Sequence, residues 1–416
     1  LYQAARGTAD ILPEEQPYWR YVEKAIAEIT ELYGYRRIDT PIFEDTSLFR
    51  RSAGEFTDIV QKEMYTFDDR GGNSLTLKPE GTPSVCRAYI QHGMQNLPQP
   101  VRLYYLSPIF RYDRPQAGRY RQHYQFGCEA IGDDDPAIDA EIIDIAWRLN
   151  QSLGLTNLSL QLNSIGCPEC RPAYLNDLQA YYKKHTAQLC ADCKTRLEKN
   201  PLRLLDCKQV SCQQIAQEAP RSIDGLCAAC ADHFKQLQKY LRLLKIPFSV
   251  NHRLVRGLDY YTRTVFEIQP EEEGGQSTIG GGGRFDELIE ELGGKPTPAA
   301  GFAAGIERII LNLKKQGVNV PVQPPLQVFI VHLGEEARDE AIKLASVLHK
   351  AGISTATATG GKSLKAQLRQ ANTLGAKYAA IIGSDEVKAK TVTLRNMADG
   401  RQETVAAAEL PGRVKG

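Results

Sequence analysis

The stretch "LVRGLDYYTRTVFE", residues 254–267, crowds Arg256, Asp259, Tyr260 and Tyr261 around Gly257, just ahead of a strand-like alternation. Thr262, Thr264 and Phe266 would share one face of a half-buried strand, which puts a cation, a carboxylate and two phenols at its mouth. A guanidinium is a planar, permanently charged fork that suits phosphate or carboxylate oxygens. Phenols and carboxylates supply the hydrogen bonds that read a polar ligand. More cations lie in the polar loop 111–124, which holds Arg111, Arg114, Arg119 and Arg121 between two apolar runs. Loops held by two strands are where ligand contacts concentrate. Arg111 ends the first run and would project into whatever the sheet cradles, whereas Arg119 and Arg121 read equally well as solvated. Arg308 opens the helix-like "GIERII" as another placed guanidinium. Glu80 and Glu129 stand isolated in turn or apolar surroundings, where a cation is the natural partner.

Eight of the ten cysteines fall between residues 167 and 230, as Cys167/Cys170, Cys190/Cys193, Cys207/Cys212 and Cys227/Cys230. Such pairs suggest thiolate metal ligands before disulfides, and they would supply two four-thiolate zinc sites that staple an insert. Reduced structural thiols fit the same spacing, so no metal is assigned to the site residues. The seven histidines show no metal spacing, and none is assigned to catalysis. "TGGKS" (359–363) is similar to the end of a phosphate loop, but Ala356 stands where that loop needs glycine, so it reads as a helix-starting turn. "GGGGRFD" (280–286) lacks the dinucleotide spacing; it reads as a glycine turn that would let the backbone approach a flat ligand.

Several elements must position these groups. Tyr18, Val22, Ala25, Ile26, Ile29 and Leu32 recur at helical spacing over 15–33, with Gly34 at the stop. "RRIDTPIFED" reads as a strand at an edge or interface, because Pro41 would break a central ladder. Residues 65–82 form a hairpin round Gly71-Gly72. Leu103–Phe110 and Tyr124–Ile131 are strands flanking the arginine loop, and Ala137–Leu153 is helical. The mostly helical 166–244 interrupts two strand-rich stretches and reads as an insertion. Prolines 321, 324 and 325 mark a linker. Beyond it, strands and helices alternate as a compact α/β domain on a largely parallel sheet.

The chain of 416 residues is long enough for two or three domains, and its net charge of +1 advertises no global field for nucleic acid. A local basic loop would still steer one. The first twenty residues lack a signal-peptide pattern and no apolar run suits a membrane span, so the expectation is a cytoplasmic protein without a membrane partner.

Together, "FRRSAGEFTDIVQKEMYTF", "LKPEGT", "FRYDRPQAGRYRQ", "QFGCEAIG", "LVRGLDYY", "IGGGGRFD" and "GFAAGIER" resemble the histidyl-tRNA synthetase family of class II aminoacyl-tRNA synthetases. The resemblance covers nearly the whole chain, and "LVRGLDYY" is its most specific piece. It implies an α+β fold: a class II antiparallel sheet with flanking helices (1–165 and 245–320), the helical Cys-rich insertion (166–244) and a C-terminal α/β anticodon-binding domain (326–416). It implies a homodimer formed around the first helix and the Pro41 strand. The substrates it implies are L-histidine, ATP with Mg2+ and the tRNA for histidine. Arg111 and Arg256 are then catalytic, on the α-phosphate, with Arg308 and Gly305 at the rest of the ATP. Glu80, Thr82 and Gln125 hold the amino group, Glu129 and Tyr261 meet the imidazole, and Tyr260 lines the pocket. Arg114 and Gln116 fall where the family touches the tRNA acceptor end. Asp259 is left as a structural partner of backbone or arginine. Lys78, Tyr124 and Phe285 depart from the family's usual residues without removing any of these groups. A regulatory paralogue generally lacks an intact "LVRGLDYY" and the C-terminal domain. A zinc-ribbon nucleic-acid adaptor would not need the surrounding core.

Overall fold

The computed structural model describes residues 1–116, 118–271, 278–322 and 324–415. The chain divides into two compact units, Leu1–Pro321 and Val322–Gly416.

The first unit begins with α1 (Gln16–Leu32), which buries Trp19, Val22, Ile26 and Ile29 along one stripe, and Gly34 follows in the left-handed conformation. Where one strand was expected around Pro41 there are two short ones, β1 (Arg36–Arg37) and β2 (Phe43–Asp45), in different sheets. Pro41 lies between them, because a residue without an N–H suits the break better than either ladder. Then come α2 (Thr46–Ala53), the hairpin β3 (Thr66–Asp68) and β4 (Ser74–Leu77), α3 (Thr82–Gln91), β5 (Val101–Phe110), β6 (Gln122–Ile131), α4 (Pro136–Ser152) and β7 (Leu158–Ser164). The insertion contributes α5 (Arg171–Lys183), α6 (Ala191–Lys199), α7 (Val210–Gln217) and α8 (Ala228–Leu243). The unit closes with β8 (Ser249–Val250), β9 (Thr262–Pro270), β10 (Gly280–Arg284), α9 (Leu288–Glu291), β11 (Ala299–Gly305) and α10 (Ile306–Lys315).

Eight strands form one sheet in the order β1-β5-β6-β11-β10-β9-β7-β8, antiparallel except for the short edge pairs β1/β5 and β7/β8. Side-chain alternation divides it into two faces. Phe126, Cys128, Phe302 and Phe266 pack beneath α1, α4, α8 and α10, while Leu103, Tyr105 and Val265 belong to the core on the opposite side. β9 is therefore buried on both faces rather than half-buried, and its simple alternation is interrupted at Arg263, whose φ is 49°, where the register with β10 slips.

The glycine run departs from expectation more sharply. Gly280–Arg284 is a strand, not a turn; Ser277, ahead of it, lies outside the described residues. A Cβ on Gly282 would meet the Gly301 carbonyl oxygen at 2.0 Å, so the run lets neighbouring backbones close up. With no side chains, it shows no period of two to read.

The second unit holds β12 (Val328–His332), α11 (Glu335–Lys350), β13 (Thr355–Thr357), α12 (Leu364–Thr373), β14 (Tyr378–Ile382), α13 (Ser384–Ala389), β15 (Thr391–Asn396), β16 (Gln402–Ala406) and α14 (Leu410–Val414). Its sheet, ordered β13-β12-β14-β15-β16, is parallel only across the first three strands; β15 and β16 run antiparallel. "TGGKS" is the turn ahead of α12. Among the described residues, no helix is long and apolar enough to cross a membrane.

Candidate active site

A cavity of about 570 Å³ opens on the face of the large sheet away from α4, with the first turn of α10 in its lining. Its floor follows from strand parity: Gln125, Gly127 and Glu129 of β6 alternate with the core residues Phe126, Cys128 and Ala130. At Gly127 a Cβ would meet the Tyr105 ring at 2.4 Å, so glycine there lets Tyr105 lie across the floor, where its hydroxyl donates to Gln125 Oε1 at 3.2 Å.

One end of the cavity is built round two buried carboxyl groups. Tyr260 Oη donates to Glu80 Oε2 at 2.8 Å, and Thr82 Oγ1 donates to Glu129 Oε1 at 2.7 Å. The other oxygen of each, Glu80 Oε1 and Glu129 Oε2, is buried without a hydrogen-bond partner among the described residues. Burial raises both: Glu80 to about 7 despite the opposing pull of Arg111, Tyr260 and Arg256, and Glu129 well above the usual carboxylate range. Buried acids each holding one unpaired oxygen are a place for a ligand that brings donors. Tyr260 and Tyr261 stack at a tilt with ring centroids 4.6 Å apart. Glu80, Thr82, Gln125, Tyr260 and Tyr261 line the cavity, whereas Glu129 sits below the lining, behind Thr82.

The rest of the lining mixes acids such as Asp58, Glu63 and Glu307 with several guanidiniums. Arg111 Nε donates to the Pro79 carbonyl at 2.7 Å; Arg308 donates to the carbonyls of Gly118 at 3.2 Å and Thr278 at 2.6 Å. Neither makes an ion pair among the described residues, so each keeps its charge for a ligand. Arg256 lies over β10, where a Cβ on Gly281 would come within 2.8 Å of its Nη1. It pairs with Glu267, which also accepts from Thr278 Oγ1 at 2.9 Å, and its Nε is buried without a partner among the described residues. Arg111 and Arg256 both act electrostatically on Glu80 and on Arg308. His123 reports the same field: burial first, then Arg111 and Arg308, hold its imidazole down to about 3. Gly305, on the lining, precedes α10 and sets Arg308 on its first turn.

Several predicted residues fall elsewhere. Arg114 and Gln116 are exposed on the β5–β6 loop and do not line the cavity. Arg119 does line it, while Arg121 turns away to lie 3.8 Å over the Tyr112 ring. Asp259 takes an amide rather than an arginine, accepting from Asn200 Nδ2 at 2.7 Å. Tyr105, His123 and Glu267 were missed. A hydroxyl at an inward position of β5 was the available signal for Tyr105. An acid within the apolar β9 was the signal for Glu267; His123 gave none. The insertion was also missed as part of the cavity, yet Arg196, Arg203 and Lys208 line it, and the two arginines donate to Asp58 Oδ2 at 3.1 and 3.4 Å.

An antiparallel sheet with helices on one face and a guanidinium-lined cleft on the other is the architecture of a class II aminoacyl-tRNA synthetase. Comparison with known proteins narrows it. Residues 7–309 match the family model for histidyl-tRNA synthetase, and residues 327–416 match that for an anticodon binding domain. A histidine–tRNA ligase of Dehalococcoides mccartyi strain 195 is 61% identical over 415 residues, spanning 100% of this chain and 99% of that protein. One from Pelotomaculum thermopropionicum is 50% identical over 96% of this chain and 94% of its own. The crystal structure of apo histidyl-tRNA synthetase from S. aureus superposes with a TM-score of 0.83 at 38% identity, covering 100% of both chains. The chain belongs to the histidyl-tRNA synthetase family.

Proposed function

We propose that this chain ligates L-histidine to its tRNA in two steps: histidine and ATP form histidyl-adenylate and pyrophosphate, then the acyl group passes to the tRNA 3′ end. The observation that carries this reading is the set of groups gathered in one cavity. Glu80, Arg111, Arg256 and Arg308 all line it, and Glu129 is held by the lining residue Thr82.

In this cavity the ammonium and imidazole of histidine meet the acids, and its carboxylate points at the α-phosphorus. Attack there loads negative charge on the phosphate oxygens while pyrophosphate leaves. Arg111 and Arg256, already fixed by the Pro79 carbonyl and by Glu267, stabilise that charge without reorganising. Glu80, Thr82 and Gln125 hold the amino group, Glu129 and Tyr261 read the imidazole, and Tyr260 both lines the pocket and orients Glu80. Arg308 and Gly305 take the remainder of the nucleotide. Mg2+ carried on the phosphates would be met by the lining carboxylates of Glu63 and Glu307, the latter oriented by Tyr124 N at 2.9 Å. The ion would neutralise phosphate charge.

Arg114 and Gln116, exposed at the rim, are assigned to the acceptor end of tRNA, and 326–416 to its anticodon. Residues 1–165 and 245–320 form the catalytic domain, with 166–244 inserted in it. The enzyme works in the cytoplasm as a homodimer; Ile42, Phe43 and Phe67 leave an exposed apolar surface near the Pro41 segment for the partner. Histidine-dependent ATP–pyrophosphate exchange, followed by charging of tRNA, tests the reading. A folded protein that binds histidine but supports no exchange would belong instead with a regulatory paralogue.

A further inference from the structure

The fold gathers the insertion's eight cysteines into two groups of four: Cys167, Cys170, Cys227 and Cys230, and Cys190, Cys193, Cys207 and Cys212. In each group the four sulfurs all lie within 4.8 Å of one another. Cys167 Sγ stands 3.8 Å from both Cys170 Sγ and Cys227 Sγ, and Cys190 Sγ stands 3.8 Å from Cys207 Sγ. Four thiolates bound tetrahedrally at Zn–S bonds of ~2.3 Å are separated by about 3.8 Å. A disulfide would need roughly 2 Å. Ligands of an iron–sulfur cluster sit on different irons and stand further apart than ligands of one ion. The spacing therefore selects a single tetrahedral ion; an all-sulfur tetrahedral set suits zinc, and a lone iron is the alternative that metal analysis distinguishes.

The backbone supports the same assignment. Cys170, Cys190 and Cys227 occupy the N-caps of α5, α6 and α8, where the helix ends favour anionic sulfur. Backbone N–H groups reach the sulfurs as well: Cys167 N donates to Cys170 Sγ and Cys190 N to Cys212 Sγ, both at 3.4 Å. Each group also sits beside an arginine that reaches the cavity wall. Arg171, next to Cys170, donates to the Tyr261 carbonyl at 2.7 Å; Arg196, one turn beyond Cys193, donates to Asp58. Cys190 and Cys207 themselves line the cavity.

We propose that the insertion holds two structural zinc ions, each bound by four thiolates. The first joins the start of the insertion to the start of its last helix and steadies Tyr261 through Arg171. The second fixes the turn that carries Arg196, Arg203 and Lys208 to the cavity. Each ion displaces the protons of its four thiols. The role at the cavity rests on the function proposed above, whereas the metal count does not.

Full-length protein purified without chelator should contain two zinc ions per chain by elemental analysis. Cys230→Ser and Cys193→Ser should each lower the count to one. Exchange into cobalt should give tetrahedral d–d absorption with thiolate-to-cobalt charge transfer. If the variants do not fold, zinc released from the wild-type chain by a mercurial and read with a metallochromic dye gives the same count. Limited proteolysis after chelation should cut first within 166–244. Fewer than one zinc per chain, iron in its place, or the eight thiols recovered as disulfides would overturn the proposal. A single zinc that survives Cys193→Ser would remove the second site.

Discussion

Arg256 and Tyr261 are five residues apart in the chain but have different tasks in the cavity. Arg256 sits against Glu267, and Tyr261 belongs to the phenol pair near the buried acids, its ring centroid 5.9 Å from the Arg256 guanidinium carbon. If the arginine acts mainly as charge builds, Arg256→Ala should lower kcat by ~10²–10³ with smaller changes in KM. Lysine should restore only part, because a point charge cannot bridge two groups as a planar fork does. Tyr261→Phe should instead weaken histidine binding by about 1–3 kcal/mol and leave the nucleotide untouched. Histidine-dependent pyrophosphate exchange separates the two; an Arg256→Ala enzyme with normal kcat would make the arginine a substrate clamp. Glu80 gives a pH signature. Burial raises its carboxyl to about 7, so below that pH the free cavity holds a proton there. An ammonium ligand favours the carboxylate and expels that proton, so affinity should rise by up to about tenfold per pH unit until pH ~7 and then level off. Calorimetry in buffers of different ionisation enthalpy should detect the released proton. Because the ligand's imidazole titrates nearby, the decisive comparison is Glu80→Gln, in which the Glu80 share must vanish.

Between elements, one polar cluster is buried and outside the cavity lining. Arg284 of β10 is fully buried and pairs with Asp139 of α4 and with Asp286, at 3.0 Å for the latter, while His233 of α8 lies 3.2 Å from Asp139. Burial alone would raise Asp139, but Arg284 and His233 hold it low. Arg284→Met should therefore strand a buried carboxylate and cost ~3–5 kcal/mol, read as a fall in the urea midpoint of the first unit. Replacing both partners, Arg284→Met with Asp139→Leu, should recover much of the loss; no recovery would mean that the ion pair is not what the single substitution breaks. How far elements were legible follows the same physics. Helix α1 was plain because Trp19, Val22, Ile26 and Ile29 repeat at the helical period. β10 was not, since Gly280–Gly283 offer no side chains to alternate, and β16 was not, since its residues are almost all exposed and carry no apolar pattern. In the cavity, Arg111, Arg256 and Arg308 were legible from their motifs. The Arg256–Glu267 pair was not, because it depends on how the 256–261 turn folds back over β9 and β10. Nor was the insertion's place in the cavity wall, which only long-range packing determines.

Each of the two units carries its own core. Trp147, Phe126 and Phe302 belong to one apolar cluster of the first unit, and Val328, Ile330 and Leu348 to one of the second; among the described residues, no core cluster draws on both. The sequence boundary, Pro321 and Pro324 with Pro325, was therefore readable from composition alone, whereas the antiparallel half of the second sheet was not. The whole cavity lies before Pro321, its last lining residue being Arg308. A chain ending at Pro321 should fold and catalyse pyrophosphate exchange at close to the full-length rate. Charging is different, because tRNA would be held by two linked modules, one at the acceptor end and one at the anticodon. Losing a linked module typically removes ~10²–10⁴ in apparent affinity without touching the other site's contacts. The defect should thus appear in KM for tRNA, with exchange preserved. Circular dichroism would first establish that the truncated chain is folded. If such a chain then charged tRNA as well as the full-length protein, the second unit would not be the anticodon module, and its place in recognition would have to be sought elsewhere on the catalytic unit.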